Sequence, residues 1–261
     1  MADTTHVGII GLGKMGGNMR ERMRAAGLTV TGYDPNAEVS DVAGLSDLVD
    51  ALPSPRIVWV MVPSGPITDS VISDVAALLD PGDLVIDGGN TRFTADQLHR
   101  DQLAELKLDF VDVGVSGGIW GLENGYGLMA GGEKSDIERA MPIFDALRPE
   151  GPRDEGFVHA GPVGAGHYAK MVHNGIEYAL MQAWAEGFEL LDSRKDLIED
   201  VPGTFKAWQR GTVVRSWLLE LLVKALEEDP EFADIAGYVE DSGEGRWTVH
   251  EALNQAVAVP T

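Results

Sequence analysis

His6-Val7-Gly8-Ile9-Ile10-Gly11-Leu12-Gly13-Lys14-Met15-Gly16 is the stretch on which the fold turns. A short apolar run leads straight into G-x-G-x-x-G, and a helical pattern from Met15 to Ala26, closed by Gly27, follows. That glycine spacing alone is weak, but a strand before it and a helix after it are the context a dinucleotide-binding turn requires. The first glycine permits a tight turn, the second lets backbone approach a pyrophosphate, and the third allows close helix packing. Helix-terminal N–H groups then meet the negative charge. Gly11, Leu12, Gly13, Lys14, Met15 and Gly16 are therefore the expected cofactor loop.

Outward from this turn the first half of the chain alternates short apolar runs with helical patterns, the signature of a parallel sheet covered on both faces. Leu28 to Tyr33, Arg56 to Val62, Leu84 to Asp87, Asp109 to Ser116 and Gly127 to Ala130 read as strands, and Ile67–Leu79, Thr94–Leu106 and Ile137–Leu147 as helices. Pro149, Gly151, Pro152 and Gly156 break the regularity. From Gly166 onward helix formers dominate, from Tyr168 to Leu191 and from Gly211 to Glu227. The expectation is an α/β protein: an N-terminal Rossmann-type, doubly wound domain over residues 1–160, then an all-α domain over 161–261. No internal repeat or low-complexity segment interrupts it. Strand two ends in Asp34, about 20 residues beyond the loop, where a carboxylate reaches the adenosine ribose hydroxyls. A 2′-phosphate there would meet like charge and no following Arg, so NAD is expected over NADP; the alternative is that Asp34 merely caps a turn with Pro35. Val62, Pro63 and Asn90 are counted among the expected cofactor contacts.

Composition bounds the function. The 261 residues are 44% hydrophobic and 24% charged, with a formal net charge of −22, which disfavours nucleic acid and anionic membranes as partners. No cysteine is present, so disulfides, thiolate chemistry and cysteine-bound zinc are excluded. The start of the chain lacks a basic n-region, and no apolar run approaches the roughly 18 residues of a membrane span, so a cytoplasmic location is expected.

Within Tyr168 to Leu191, Lys170, His173, Asn174, Glu177 and Tyr178 fall at i, i+3, i+4, i+7 and i+8, one face of a helix. Met171, Val172, Ile176, Ala179, Leu180 and Met181 flank them and suit burial. Five different hydrogen-bonding groups on such a helix read as a site wall, in which a lysine and a glutamate two turns apart divide two proton transfers. An ordinary ion network on the helix face fits the spacing equally. Metal binding by His173 and Glu177 lacks a third ligand, and no metal is expected.

These segments carry a resemblance over nearly the whole chain: GLGKMGGN (Gly11 to Asn18), DGGNT (Asp87 to Thr91), VGVSGG (Val113 to Gly118), GLMAGG (Gly127 to Gly132), GAGHYAKMVHNGIEY (Gly164 to Tyr178) and GRWT (Gly245 to Thr248). The chain resembles the decarboxylating 6-phosphogluconate dehydrogenases of the β-hydroxyacid dehydrogenase superfamily, in their short bacterial form. The resemblance implies oxidative decarboxylation of 6-phosphogluconate to ribulose 5-phosphate with reduction of NAD, a step of the pentose phosphate pathway and gluconate utilisation. It implies Lys170 as the general base at the C3 hydroxyl and Glu177 as the acid that protonates C1 of the enediol. Asn90, Ser116, Gly117, Gly118, His173, Asn174 and Tyr178 resemble the residues that hold the substrate's carboxylate, hydroxyls and phosphate. It also implies a homo-oligomer, a dimer or dimer of dimers, built through the helical domain, with Trp217, Leu218 and Leu222 at the interface.

Two departures bear on the phosphate end. The segment Ser242-Gly243-Glu244-Gly245-Arg246-Trp247-Thr248 carries an inserted acid, and the chain ends at Val259-Pro260-Thr261 without the family's further helix and its phosphate-binding Arg. They leave two rivals: an NAD-dependent dehydrogenase of a smaller, unphosphorylated β-hydroxy acid, and a non-catalytic dinucleotide-binding protein.

Overall fold

The computed structural model describes residues 4–233 and 235–259, so the readings of Met1 to Asp3 and of Pro260 and Thr261 lie outside the described residues. The chain forms two compact units, one ending at Met171 and one beginning at Val172.

The first unit is built on seven strands: β1 (His6–Ile10), β2 (Thr29–Tyr33), β3 (Ile57–Val60), β4 (Leu84–Asp87), β5 (Asp109–Ser116), β6 (Gly127–Gly132) and β7 (Phe157–Gly161). They lie in the order β2-β1-β3-β4-β5-β6-β7. The first five are parallel, β6 runs antiparallel to β5, and β7 is parallel to β6. The chain winds outward from β1 to β2 and then returns to β3. That reversal is the switch point outside whose carboxyl strand ends such sheets bind ligands.

Among the described residues six α-helices belong wholly to this unit: α1 (Lys14–Ala25), α2 (Leu45–Asp50), α3 (Pro66–Ala76), α4 (Phe93–Glu105), α5 (Gly121–Asn124) and α6 (Lys134–Leu147). Strand alternation sorts them. Val7, Ile9, Trp59, Ile86, Val111 and Val113 pack with Met19 and Met23 of α1 and with Ile137 and Phe144 of α6. Ile10, Val58, Val60, Val85 and Phe110 pack with Leu48 of α2, Ile72 and Val75 of α3, and Leu103 of α4. The same parity sends Asp87, Asp112 and Gly114 to the second face, toward α4, a consequence that governs the site.

A long helix, α7 (Ala165–Asp192), passes from the first unit into the second. The second unit adds α8 (Val201–Trp208), α9 (Trp217–Glu228) and α10 (Glu244–Asn254). Its core is Val201, Phe205, Leu219, Val223 and Leu226, ringed by Trp184, Phe188, Leu191, Trp208 and Leu222.

Several expectations need correction. The helix expected from Gly211 begins only at Trp217, where the Ser216 side chain accepts from Leu219 N at 3.1 Å; β-branched Thr212, Val213 and Val214 precede it in turn and coil. The stretch taken as irregular after Pro149 contains β7, which pairs with β6 despite its glycines. α8 and α10 were unexpected; α8 is hidden by Pro202 and Gly203, although Asp200 caps it, accepting from Gly203 N at 2.7 Å. Leu222 is half-buried against the core of the second unit. Val172, Ile176, Leu180 and Met181, expected to suit burial, are exposed; the fully buried residues of α7 are Gly166, His167 and Met171, in its first two turns.

Candidate active site

The cofactor loop follows β1, at the switch point. Gly11 has φ +92°, and a methyl there would overlap the Met61 carbonyl beyond β3 and stand 2.9 Å from Val62 Cγ1. A methyl at Gly16 would overlap the Gly11 carbonyl and stand 3.5 Å from Met61 Cβ, so this glycine lets α1 close onto β1 and β3. Gly13 differs: it is the N-cap of α1, no side chain caps that helix end, and a methyl there would meet nothing within 4 Å. The three glycines thus divide into two that are packed shut and one left open at a bare helix N-terminus, an arrangement that fits a pyrophosphate.

Asp34 stands at the exit of β2, its Oδ2 accepting from Leu12 N at 2.8 Å and its Oδ1 from Asn36 N at 2.8 Å. The carboxylate is therefore both a turn cap and a fixed part of the loop, and it retains acceptor capacity for ribose hydroxyls. No arginine follows Asp34 closely in the sequence, but α1, which precedes it, brings two to β2. Arg20 packs over Gly32, two residues before Asp34, with Cδ 3.1 Å from where a methyl would be, and Arg24 bonds Val30 O. Both, however, are held by Asp41, Arg20 Nη1 at 3.2 Å and Arg24 Nη2 at 2.6 Å, while Asp41 also accepts from Gly32 N at 2.7 Å.

Val62 and Pro63 occupy the turn after β3, where Thr68 donates to Pro63 O at 2.9 Å. Asn90 lies in the turn after β4. That turn is shaped by Asp87, which accepts from Gly89 N at 2.9 Å and from the Thr91 hydroxyl at 2.7 Å while wholly buried. Ser116 ends β5, opposite Gly127, and Gly117 and Gly118 follow with φ +133° and +53°, conformations that favour glycine.

Lys170 sits on the second turn of α7, still in the first unit. Gly114 of β5 makes room for it: a methyl there would overlap Lys170 Cβ and stand 2.7 Å from Gly166 O and 3.2 Å from Lys170 Cγ. Gly131 of β6 and Gly166 permit the same approach, since a methyl on Gly131 would stand 2.8 Å from Gly166 N and one on Gly166 2.7 Å from Asp112 O. The stem of Lys170 is thereby seated directly on the sheet.

In the second unit His173 Nδ1 lies 3.1 Å from Asn174 Oδ1 and 3.7 Å from Glu177 Oε2. The Tyr178 hydroxyl meets Ser242 Oγ at 3.2 Å. α10 packs on this stretch of α7, a methyl on Gly175 standing 3.0 Å from Thr248 Oγ1 and one on Gly245 3.0 Å from Tyr178 Cδ2. The distant segment Ser242 to Thr248 is thus brought to the Tyr178 side of α7. The inserted Glu244 is buried at the first position of α10, where a carboxylate suits the helix dipole, and Arg246 pairs with Asp241 at 3.1 Å.

The residues missed by the sequence reading are buried acids and a histidine beneath the site. Asp112 caps α7 from β5, accepting from Gly164 N at 2.7 Å and His167 N at 2.9 Å. His167 Nδ1 stands 2.9 Å from both oxygens of Asp96 on α4, with both side chains essentially inaccessible. Burial opposes charge on His167, but Asp96, with Asp87 and Asp112 behind it, outweighs burial and raises its pKa to about 10. Acids embedded in the apolar strands LVID and DFVDVGVS were the signal available. By spacing, Asp96, Asp112 and His167 could surround a metal, as could Asp87, Asp96 and His99. The oxygens of Asp87, Asp96 and Asp112 already accept from internal donors, so the set fits an ion-pair network better. Among the described residues no helix is long and apolar enough to cross a membrane.

Comparison with known proteins agrees with this layout. Residues 6–149 match the family described as the NAD binding domain of 6-phosphogluconate dehydrogenase, and residues 166–261 the one described as 6-phosphogluconate dehydrogenase, C-terminal domain. A Haloferax volcanii protein named NAD(+)-dependent, decarboxylating 6-phosphogluconate dehydrogenase is 42% identical over 97% of this chain and 86% of its own length. A decarboxylating 6-phosphogluconate dehydrogenase of Synechococcus elongatus is 36% identical over 97% of this chain but only 59% of its own length. Among solved structures, the Plasmodium falciparum 6-phosphogluconate dehydrogenase superposes with a TM-score of 0.84 at 26% identity, over 98% of this chain and 59% of that one. A Mycobacterium tuberculosis 3-hydroxyisobutyrate dehydrogenase shares the fold, with a TM-score of 0.72 at 21% identity over 98% of this chain and 89% of that one.

Proposed function

The chain belongs to the 6-phosphogluconate dehydrogenase family, and we propose on that premise that it oxidises and decarboxylates 6-phospho-D-gluconate to D-ribulose 5-phosphate and CO2, reducing NAD. The observation that carries the reading is the seat of Lys170 on Gly114, with His173, Asn174, Glu177 and Tyr178 following it along one helix. A nicotinamide dinucleotide held by its pyrophosphate at the glycine loop would supply the hydride acceptor. Lys170, neutral on entry, takes the C3 hydroxyl proton as hydride leaves C3. Then, as an ammonium, it polarises the new C3 ketone and returns its proton to that oxygen while the bond to the carboxylate breaks and CO2 departs. Glu177 delivers a proton to C1 of the resulting enediol while Lys170 takes back the hydroxyl proton from the adjacent carbon, which completes the ketone of ribulose 5-phosphate. Asn90, Ser116, Gly117, Gly118, His173, Asn174 and Tyr178 hold and orient the sugar acid.

NAD is the proposed preference over NADP. Asp34 repels a 2′-phosphate, and the two arginines near it are already committed to Asp41. Self-association through the helical unit belongs to the same proposal, supported by exposed Ile176, Leu180, Leu190 and Trp217. The deciding measurement is NAD reduction with 6-phosphogluconate against an unphosphorylated β-hydroxy acid. Turnover confined to the latter refutes the proposed substrate, and NAD binding without any turnover selects the non-catalytic alternative. In Glu177→Gln, single-turnover NADH appears ahead of ribulose 5-phosphate; simultaneous appearance at the parental rate removes Glu177 from its role.

A further inference from the structure

The first turn of α7 carries more internal anchoring than its place in the chain demands. From β5, Asp112 accepts both Gly164 N and His167 N. From β6, Gly131 yields space to Gly166. From α4, Gln97 Nε2 donates to Val163 O at 2.6 Å, Phe93 meets Tyr168 edge-on with ring centroids 5.0 Å apart, and Asp96 takes His167. The neighbouring turn that bears Asn90 is held by Asp87 and opens directly into α4.

We infer that the buried Asp96–His167 pair is a positioning device: it clamps the first turn of α7 to the first turn of α4, and so fixes Lys170 in register with the Asn90 turn. The inference rests on the proposed role of Lys170 as base. Lys170 lies three residues after His167, the next position on the same helix face. Asn90 lies three residues before α4 begins, and Asp96 is in that helix's first turn. One contact therefore links the two segments.

Stability alone does not account for the pair, because desolvating two charges offsets their attraction, and apolar side chains of equal volume commonly serve as well. A bidentate contact offers direction instead. The imidazole is equidistant, at 2.9 Å, from both Asp96 oxygens, and its Nε2 is buried with no partner among the described residues. The ring's orientation, and with it the rotation of the α7 turn, thus depends on Asp96. The carboxylates of Asp87, Asp96 and Asp112 keep the imidazole charged through the neutral range.

Two variants test this in the full chain. Asp96→Asn keeps an acceptor for Nδ1 and removes the charge; His167→Gln keeps a neutral donor. A displaced base lowers kcat by about 10–100-fold, the scale on which small misplacements act. NAD affinity and the KM for 6-phosphogluconate stay near parental, and the primary isotope effect on kcat with C3-deuterated substrate rises as hydride transfer becomes limiting. Parental kcat and isotope effect in both variants overturn the inference. So does a parallel fall of kcat, NAD affinity and Tm with an unchanged isotope effect, which marks the pair as structural only. If the parental protein turns over no 6-phosphogluconate, the activity reading fails by itself and amide hydrogen exchange decides. Faster exchange confined to residues 164–171 in Asp96→Asn sustains the clamp, and unchanged exchange there overturns it.

Discussion

Two helix beginnings in the first unit are built from the same materials and put to opposite uses. At α1, glycines bring helix and strands together and leave the N-terminus bare, with Gly13 facing open space. At α7, glycines again bring helix and sheet together, but the N-terminal amides are filled from within by Asp112. On the proposed reading the bare end of α1 receives an anion, whereas the end of α7 is satisfied by a buried carboxylate and held in place. The first is a receptor and the second a mounting, and the second mounts Lys170.

Substitutions on the two sides should separate accordingly. Lys170→Ala is expected to have the largest effect, a loss of about 10²–10⁴ in kcat with NAD affinity retained, since the proposed base would act on the substrate and not on the dinucleotide. Equilibrium NAD titration beside steady-state kinetics checks it, and near-parental turnover would return the α7 face to an ordinary ion network. Next comes Asp34→Asn on the receptor side. It narrows the NAD-over-NADP ratio of kcat/KM by about 1.5–3 kcal/mol, the scale of hydrogen bonds to a charged group. A parent that already prefers NADP contradicts the role given to Asp34.

On the mounting side, Asp112→Ala removes the cap of α7 and costs about 1–2 kcal/mol in urea unfolding, while NAD affinity holds. Loss of NAD binding at unchanged stability would erase the distinction between the two helix ends. A last effect concerns pH. The pKa of His167 is raised from 6.5 to about 10 in the fold, so its contribution is complete below pH 6.5 and is lost as pH rises toward 10. Asp96, pushed by burial from 3.8 up to about 7 against the pull of His167, acts in the same sense at lower pH. Urea midpoints therefore decline from pH 7 to 9.5, and His167→Gln flattens that decline; equal slopes in both proteins rule it out.

The two helix ends also differ in how far the sequence exposes them. The receptor is written in consecutive residues, Gly11 to Gly16, because a tight turn and a helix start are local demands on backbone geometry, and Asp34 follows at the length of one βα unit. The mounting draws on Asp87, Asp96, Gly114, Gly131 and His167 from β4, α4, β5, β6 and α7, whose separation in the chain hides their meeting. Where local signals misled, a tertiary contact had overridden them. Phe157 to Gly161 looks irregular alone but pairs with β6, and α8 forms behind a proline and a glycine because Phe205 is buried among Trp184, Phe188 and Trp208.

By itself, then, the sequence determined the doubly wound sheet, the dinucleotide loop, and the polar face of α7 with Lys170 and Glu177 upon it, since each follows from a period or a spacing within one or two elements. Only the tertiary structure decided that Arg20 and Arg24 are spent on Asp41, that Glu244 turns inward at the start of α10, and that the stem of Lys170 rests on Gly114 while His167 meets buried Asp96. The physical reason is range: helix and strand periods act over a few residues, whereas desolvated charge can be satisfied only by whatever partner the packed fold brings within hydrogen-bonding distance.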